Sequence, residues 1–197
     1  MTPRERVGFV VAGGRSLRMG RDKALLEWRG GTLLDHAIDR LRAVCGEVRV
    51  LSGSARRYAD RGLPVDVDEA SGEGPLAGLA TALAAAAPRP ALLLGVDMPF
   101  VTAALLARIR DDVAGWDAAV PQHDGGPEPL CAAYAPACLG PVRDALAAGE
   151  RRMTSFWTHA RVRVLSPADL APFGSPDQLF RNLNAPADYA AAREERG

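Results

Sequence analysis

The residues best suited to chemistry stand close together near the start of the chain, in Gly13-Gly14-Arg15-Ser16-Leu17-Arg18-Met19-Gly20-Arg21-Asp22-Lys23. Consecutive glycines let backbone N–H groups turn to one side as an anion nest, and Arg15, Arg18 and Lys23 bring positive charge for a polyphosphate. The run has neither the Gly-Lys-Ser/Thr of a Walker A loop nor the GxGxxG of a dinucleotide fingerprint. Lys23 is the only lysine in a chain that otherwise builds its fixed cations from arginine. The two side chains differ most where a compact point charge must sit on a phosphate. A solvated basic turn would have the same composition, so the loop gains meaning only from what stands beside it.

Two acidic positions could stand there. Asp97 follows the apolar run 91–96 directly, in Asp97-Met98-Pro99-Phe100. A carboxylate at such a place suits a hard cation such as Mg²⁺, which takes one or two carboxylates and completes its shell with substrate phosphates. Asp68-Glu69 follows the short run 65–67 and leads into Gly72-Glu73-Gly74-Pro75-Leu76-Ala77-Gly78, where Gly74 and Gly78 would let a ribose or base approach a helix. A phosphate nest, a lysine and two acidic points are the equipment for in-line displacement at phosphorus, with cations neutralising the α-phosphate and the loop holding the leaving pyrophosphate. His36, His123 and His159 lie far apart in sequence and read as structural or surface residues; Trp28, Phe156 and Trp157 read as core or lid packing.

The elements that would bring these residues together alternate. Residues 7–12 form a short apolar run stopped by Gly13-Gly14, as a buried parallel strand would be. Leu33, Leu34, Ala37, Ile38, Leu41 and Val44 recur at helical spacing behind Thr32 as N-cap. Strands follow at 48–51 and 65–67 with a small helix at 55–60 between them, then a helix from Pro75 to about residue 87 with proline at its first position. A buried strand at 91–96, a helix capped by Thr102 and ending near 113, and a strand from 118 come next. A returning strand at 130–134, helices at 141–148 and 153–159, a strand at 162–165 and a helix from Pro186 complete the order. This predicts an α/β fold of three layers, a mostly parallel, Rossmann-like sheet with helices on both faces, in one domain over 1–197. In such sheets ligands bind outside the carboxyl ends of the strands, which is where the residues above fall.

Bulk properties close off other classes. The chain has 197 residues, 48% of them hydrophobic and 24% charged, with a formal net charge of zero; this describes a folded soluble protein without the basic footprint of a nucleic-acid binder or a membrane-attracted surface. No signal-peptide pattern and no membrane-spanning apolar stretch is present. Cys45, Cys131 and Cys138 are an odd set without CxxC spacing, which fits reduced cytoplasmic thiols better than a disulfide frame or zinc site.

Taken in order, Val11-Ala12-Gly13-Gly14, Arg18-Met19-Gly20, Asp22-Lys23, Gly74-Pro75-Leu76-Ala77-Gly78, Asp97-Met98-Pro99-Phe100 and Glu128-Pro129-Leu130-Cys131-Ala132-Ala133-Tyr134 resemble the signatures of the molybdenum cofactor nucleotidyltransferases. Gly149-Glu150-Arg151-Arg152 and Phe180-Arg181-Asn182-Leu183-Asn184-Ala185-Pro186-Ala187-Asp188 are similar to the guanylyltransferase branch. That resemblance spans nearly the whole chain. It implies transfer of GMP from GTP to molybdopterin or the molybdenum cofactor, with Mg²⁺ as cofactor and pyrophosphate as second product. It implies that Lys23 and Arg18 contact the triphosphate, Asp97 binds the metal, and Val11, Ala12, Gly13 and Gly14 line the nucleotide. Asp68 and the backbone near Leu51, which stands where the family often has asparagine, would meet guanine or ribose beside Gly74 and Gly78. Asn182 and Asn184 would hold the pterin, and a molybdoenzyme or cofactor chaperone would receive the product. The alternatives are a cytidylyltransferase of the same family, a sugar-1-phosphate nucleotidyltransferase, or a non-catalytic nucleotide-binding adaptor; the Asn-x-Asn-x-Pro-x-Asp tail argues against the first two.

Overall fold

In a computed structural model the described residues are 6–13, 22–68, 74–183 and 186–194. Strand β1 (Val7–Val11) sits near the middle of an eight-stranded sheet. It is followed by a small hairpin, β2 (Glu27–Trp28) and β3 (Gly31–Thr32), and by helix α1 (Leu33–Arg42). The hairpin turns on Arg29 and Gly30, both at positive φ (48° and 82°), as a two-residue loop between right-twisted strands requires. Thr32 and Asp35 start α1 with a reciprocal capping box: the Asp35 amide donates to Thr32 Oγ1 at 3.2 Å and the Thr32 amide donates to Asp35 Oδ2 at 3.0 Å.

The chain then forms β4 (Glu47–Leu51), β5 (Val65–Asp66), α2 (Pro75–Ala86), β6 (Ala91–Gly95), α3 (Ala103–Asp112), β7 (Ala118–His123), β8 (Gly126–Pro127), β9 (Ala133–Tyr134), α4 (Leu139–Ala147) and β10 (Val162–Leu165). Short helices α5 (Pro167–Leu170) and α6 (Pro176–Leu179) precede α7 (Pro186–Glu194). The strand order is β10-β7-β9-β6-β1-β4-β5, with β8 paired to the end of β7. Every ladder along that order is parallel except those of β9, which runs antiparallel between β6 and β7. The α/β layering expected from the alternation of elements is therefore present.

Each strand residue alternates between the two faces, and two cores result. On one face Val10, Leu92 and Leu94 pack with Leu34, Ile38 and Leu41 of α1 and with Leu105, Leu106 and Ile109 of α3. On the other, Val7, Phe9 and Leu93 pack with Leu76, Leu79 and Leu83 of α2 and Val142 of α4. Residues with no polar atom to satisfy on either side of the sheet are what a parallel strand covered twice demands. Among the described residues, no helix is long and apolar enough to cross a membrane.

Four expected elements differ, one of them the returning strand at 130–134, which forms only at Ala133–Tyr134. The helix anticipated over 55–60 is only a 3₁₀ turn at Ala59–Arg61, because Tyr58 takes a left-handed backbone (φ 64°) that no helix can contain. The helix anticipated over 153–159 reduces to a turn at Trp157–His159, with Phe156 drawn fully into the core. The third strand stops at Asp66, before Val67. The hairpin at 27–32 and helices α5 and α6 were too short to show a period. The three cysteines are free and buried, and burial pushes the thiols of Cys45 and Cys138 up to about 12.

The capping box starts α1 and contains none of the residues singled out for chemistry. Thr32→Ala is expected to lower unfolding free energy by about 1 kcal/mol, read as a shift in urea midpoint at unchanged m-value.

Candidate active site

The parallel register brings four strand ends to one edge of the sheet. Val11 is opposite Leu51 on one side and Gly95 on the other, and Leu51 is opposite Asp66. The loops that follow these residues are 12–13, 52–53, 67–68 and 96–97. Their backbones are stitched together: the Ala12 amide donates to the Leu51 carbonyl at 2.9 Å, the Val96 amide to the Val11 carbonyl at 3.1 Å, and the Asp68 amide to the Gly53 carbonyl at 2.9 Å. Chain reversal in order across β1, with β4 and β5 on one side and β6 on the other, is the place where such sheets open a crevice.

Gly13 is where two of these loops nearly touch. A Cβ there would lie 2.9 Å from the Gly53 amide nitrogen and 3.0 Å from its Cα, closer than backbone can give way. Gly95 is limited in the same way by the site itself, since a Cβ would meet Asp97 Oδ1 at 2.8 Å. The Asp97 carboxylate thus folds back over the end of β6. Its other oxygen, Oδ2, accepts from the Lys23 ammonium at 3.2 Å, across 74 residues of sequence, with both side chains largely covered (14% and 25% exposed). Lys23 opens a 3₁₀ turn, Lys23–Leu25, whose N-cap is Asp22.

Asp68 faces the same crevice from the far side of β4. Burial pushes its carboxyl above the ordinary aspartate range, against a hydrogen bond from Thr81 that pulls the other way. Its Oδ1 is buried and finds no hydrogen-bond partner among the described residues. A carboxylate oxygen left in that state costs free energy until a donor arrives, and marks a place where a ligand N–H or O–H would be held. Gly78 of α2 packs beside it, where a Cβ would lie 3.7 Å from Oδ1; Gly74, N-cap of the same helix, lies against the backbone of Arg151.

The C-terminal segment closes the third side. The Leu183 amide donates to the Asp97 carbonyl at 3.1 Å, which places Asn182 beside the loop that carries Asp97. Asn182 Oδ1 is likewise buried and without a partner among the described residues.

Of the residues singled out from sequence, Val11, Ala12, Gly13, Lys23, Asp68, Gly78, Asp97 and Asn182 converge on this edge, and Gly74 begins the helix behind it. The side chain of Leu51 is turned into the core beneath α2 and its carbonyl is engaged by Ala12, so the part of the loop after β4 that approaches Gly13 is the backbone of Gly53. Arg18, Gly14 and Asn184 lie outside the described residues.

Two groups at the site were not read from sequence. His123, taken for a structural or surface residue, stacks on Phe180 (ring centroids 5.4 Å, interplanar angle 22°) and contacts Glu128 Oε1 through Nε2 at 2.9 Å. The Gly125 amide donates to Nδ1 at 3.2 Å, so the ring proton belongs on Nε2 and is donated to the carboxylate. Burial, with the negative charge of Asp97 in addition, raises the Glu128 carboxyl above its ordinary range, while His123 lowers it. The short spacing from 123 to 128 was the available signal. The second group, Arg57 and Tyr58 around Asp22, had none, since nothing in the sequence joins residues 35 apart.

The arrangement can hold a divalent cation. Asp97 already has a cation against it, the Lys23 ammonium, and no group of three or more metal-binding side chains exists among the described residues. One carboxylate without a protein cage suits a metal that brings its remaining oxygen ligands from phosphates and water.

Comparison with known proteins agrees with this geometry. The family model described as the MobA-like NTP transferase domain matches residues 8–164. A protein of Deinococcus radiodurans named "Probable molybdenum cofactor guanylyltransferase" is 41% identical over 92% of this chain and 90% of its own. One of the same name from Pelotomaculum thermopropionicum is 34% identical over 94% and 91%. The crystal structure of molybdopterin-guanine dinucleotide biosynthesis protein A from Archaeoglobus fulgidus superposes with a TM-score of 0.81 at 25% identity, covering 96% of this chain and 97% of that one.

Gly13→Ala is expected to separate the loops after β1 and β4. Nucleotide affinity should fall at least about tenfold and the melting temperature should drop, measured by calorimetric titration and thermal unfolding. An unchanged affinity would show that the contact between the loops does not shape the site.

Proposed function

The chain belongs to the MobA-like NTP transferase family, and from that premise we propose that it is a molybdenum cofactor guanylyltransferase, joining GMP from GTP to molybdopterin or the molybdenum cofactor with release of pyrophosphate. The observation that carries the reading is the pairing of Lys23 with Asp97 at 3.2 Å, on the loop that ends β1 and the loop that ends β6. A phosphate cradle and a carboxylate for a divalent cation are thereby within one side-chain contact of each other.

In the reaction a phosphate oxygen of the pterin acceptor attacks the α-phosphorus of GTP. The bond from that phosphorus to the bridging oxygen breaks, and pyrophosphate leaves with the electron pair. Asp97 would hold a divalent cation, Mg²⁺ in our reading, which would supply charge neutralisation on the α-phosphate and on the leaving group. Lys23 places its ammonium against the β- and γ-phosphates, where negative charge grows as the bridging oxygen departs. The Gly13 amide would meet the same phosphates, and Arg18 would add a second cation. No side-chain nucleophile is needed, since the acceptor attacks directly.

Asp68 reads the nucleoside. A carboxylate can only accept, and guanine presents N1–H and the 2-amino group side by side, while a ribose presents hydroxyls; both satisfy the orphaned Oδ1. Asn182, whose amide oxygen has no partner among the described residues, holds the pterin, together with Asn184. The three free, buried thiols fit a reducing cytoplasm, and a molybdoenzyme or its chaperone would take the product.

Purified protein supplied with molybdopterin and Mg²⁺ should release pyrophosphate with GTP and not with CTP; release with CTP would move it to the cytidylyl branch, and release with neither would leave a nucleotide-binding adaptor. Lys23→Ala should lower turnover at least about 100-fold with the fold intact, and Asp97→Asn should abolish Mn²⁺ binding seen by paramagnetic resonance in the presence of GTP. Near-normal values in either variant would remove the role assigned to that residue.

Asp68→Asn separates function from stability. Because the folded carboxyl is raised, the unfolded chain loses its proton first, and stability falls as pH rises from the ordinary aspartate value through the raised one. Above that window the wild-type carboxylate is a burden, so the variant should melt at a higher temperature at pH 7 while binding GTP more weakly. A lower melting temperature would show that the carboxylate is satisfied within the protein.

A further inference from the structure

Lys23 is the terminal group of a long flexible stem, and its usefulness depends on where its backbone is held. That backbone is governed by Asp22, whose carboxylate is crowded with donors. It accepts from the Ala24 amide at 3.1 Å, which closes the 3₁₀ turn, from Arg57 Nη1 at 3.2 Å, and from the Tyr58 hydroxyl at 2.9 Å to Oδ1 and 2.8 Å to Oδ2. The second nitrogen of Arg57, Nη2, donates to the Ala12 carbonyl at 3.2 Å and to the Ser52 carbonyl at 3.1 Å. One guanidinium therefore ties together the end of β1, the end of β4 and the turn that carries Lys23, and it lies over the Tyr58 ring at 5.2 Å. Tyr58 is buried and held at φ 64°, a left-handed backbone that a bulky side chain seldom adopts and that the surrounding contacts must maintain.

Neither Arg57 nor Tyr58 carries out a step of the chemistry described above. What they fix is the span between the Gly13 amides and the Lys23 turn, the two elements that would share a polyphosphate. We infer that Arg57 and Tyr58 are positioning residues that act through Asp22 to hold Lys23 at the distance of a triphosphate from the loop after β1, and so set the preference of the site for nucleoside triphosphate over monophosphate. This rests on the reading that Lys23 contacts the β- and γ-phosphates. A planar fork with several fixed donors can bridge three acceptors where an ammonium could not, and holding the stem in advance removes ordering entropy that binding would otherwise have to supply.

The test is the affinity of the full chain for GTP and for GMP with Mg²⁺ present, measured by calorimetric titration without acceptor so that no turnover intervenes. Tyr58→Phe removes one hydroxyl and keeps the ring. It should weaken GTP about tenfold, the order expected for a lost hydrogen bond to a charged group, and leave GMP unchanged. Arg57→Lys should do the same or more. The double variant Lys23→Ala/Tyr58→Phe should bind GTP no more weakly than Lys23→Ala alone, because both act on one contact. Equal weakening of GTP and GMP, or additive losses in the double variant, would reduce Arg57 and Tyr58 to general packing and overturn the inference. If Lys23→Ala loses the preference for GTP while Tyr58→Phe keeps it, only the positioning role fails. If Lys23→Ala keeps the preference, the triphosphate role of Lys23 fails, and this inference with it.

Discussion

Strand β1 is hydrogen-bonded on both sides, in parallel, to β4 and β6, and almost everything at the site follows from that. The pairing fixes Val11 level with Leu51 and Gly95, so the loops that leave β4 and β6 each begin one strand spacing from the loop that leaves β1. A one-residue slip would turn Val7 and Phe9 from the α2 core to the α1 core and would move Asp97 relative to Lys23 at the same time. The apolar alternation that locks the register is thus also what sets the distance between a cation and a carboxylate that are 74 residues apart.

The site is assembled against its own electrostatics. Asp68, Asp97 and Glu128 are carboxylates partly withdrawn from water, and two of them are pushed toward their protonated forms by burial. The protein offsets this with local partners, the Lys23 ammonium on Asp97 and the Nε2–H of His123 on Glu128, but leaves one oxygen of Asp68 and the amide oxygen of Asn182 with no partner among the described residues. Folded proteins rarely leave such atoms unsatisfied, and where they do the penalty is recovered when a donor binds.

Much of the fold was legible because its signals are periodic or terminal. The run 91–96 could only be a twice-covered strand, Thr32 and Thr102 announced helix starts that their side chains do cap, and Pro75 marked the first turn of α2. The failures are equally physical. A helix at 55–60 looked plausible from composition, but Tyr58 is taken into a left-handed conformation to reach Asp22, and a tertiary contact outweighed local propensity. The hairpin at 27–32 depends on positive φ at Arg29, a residue with no turn preference to reveal it.

The sequence by itself determined which chemistry was available. A sole lysine behind two glycines and an aspartate released from a buried strand are choices of residue type, and their meaning survives any arrangement that places strand ends together. The tertiary structure alone decided which groups meet. It turned Leu51 inward and brought Gly53 against Gly13, drew His123 onto Glu128 and Phe180, and wrapped Arg57 and Tyr58 around Asp22. Residue types fix what a side chain can donate or accept. The distance between two side chains far apart in the chain is set only when the cores on both faces of the sheet have closed and every strand has a register.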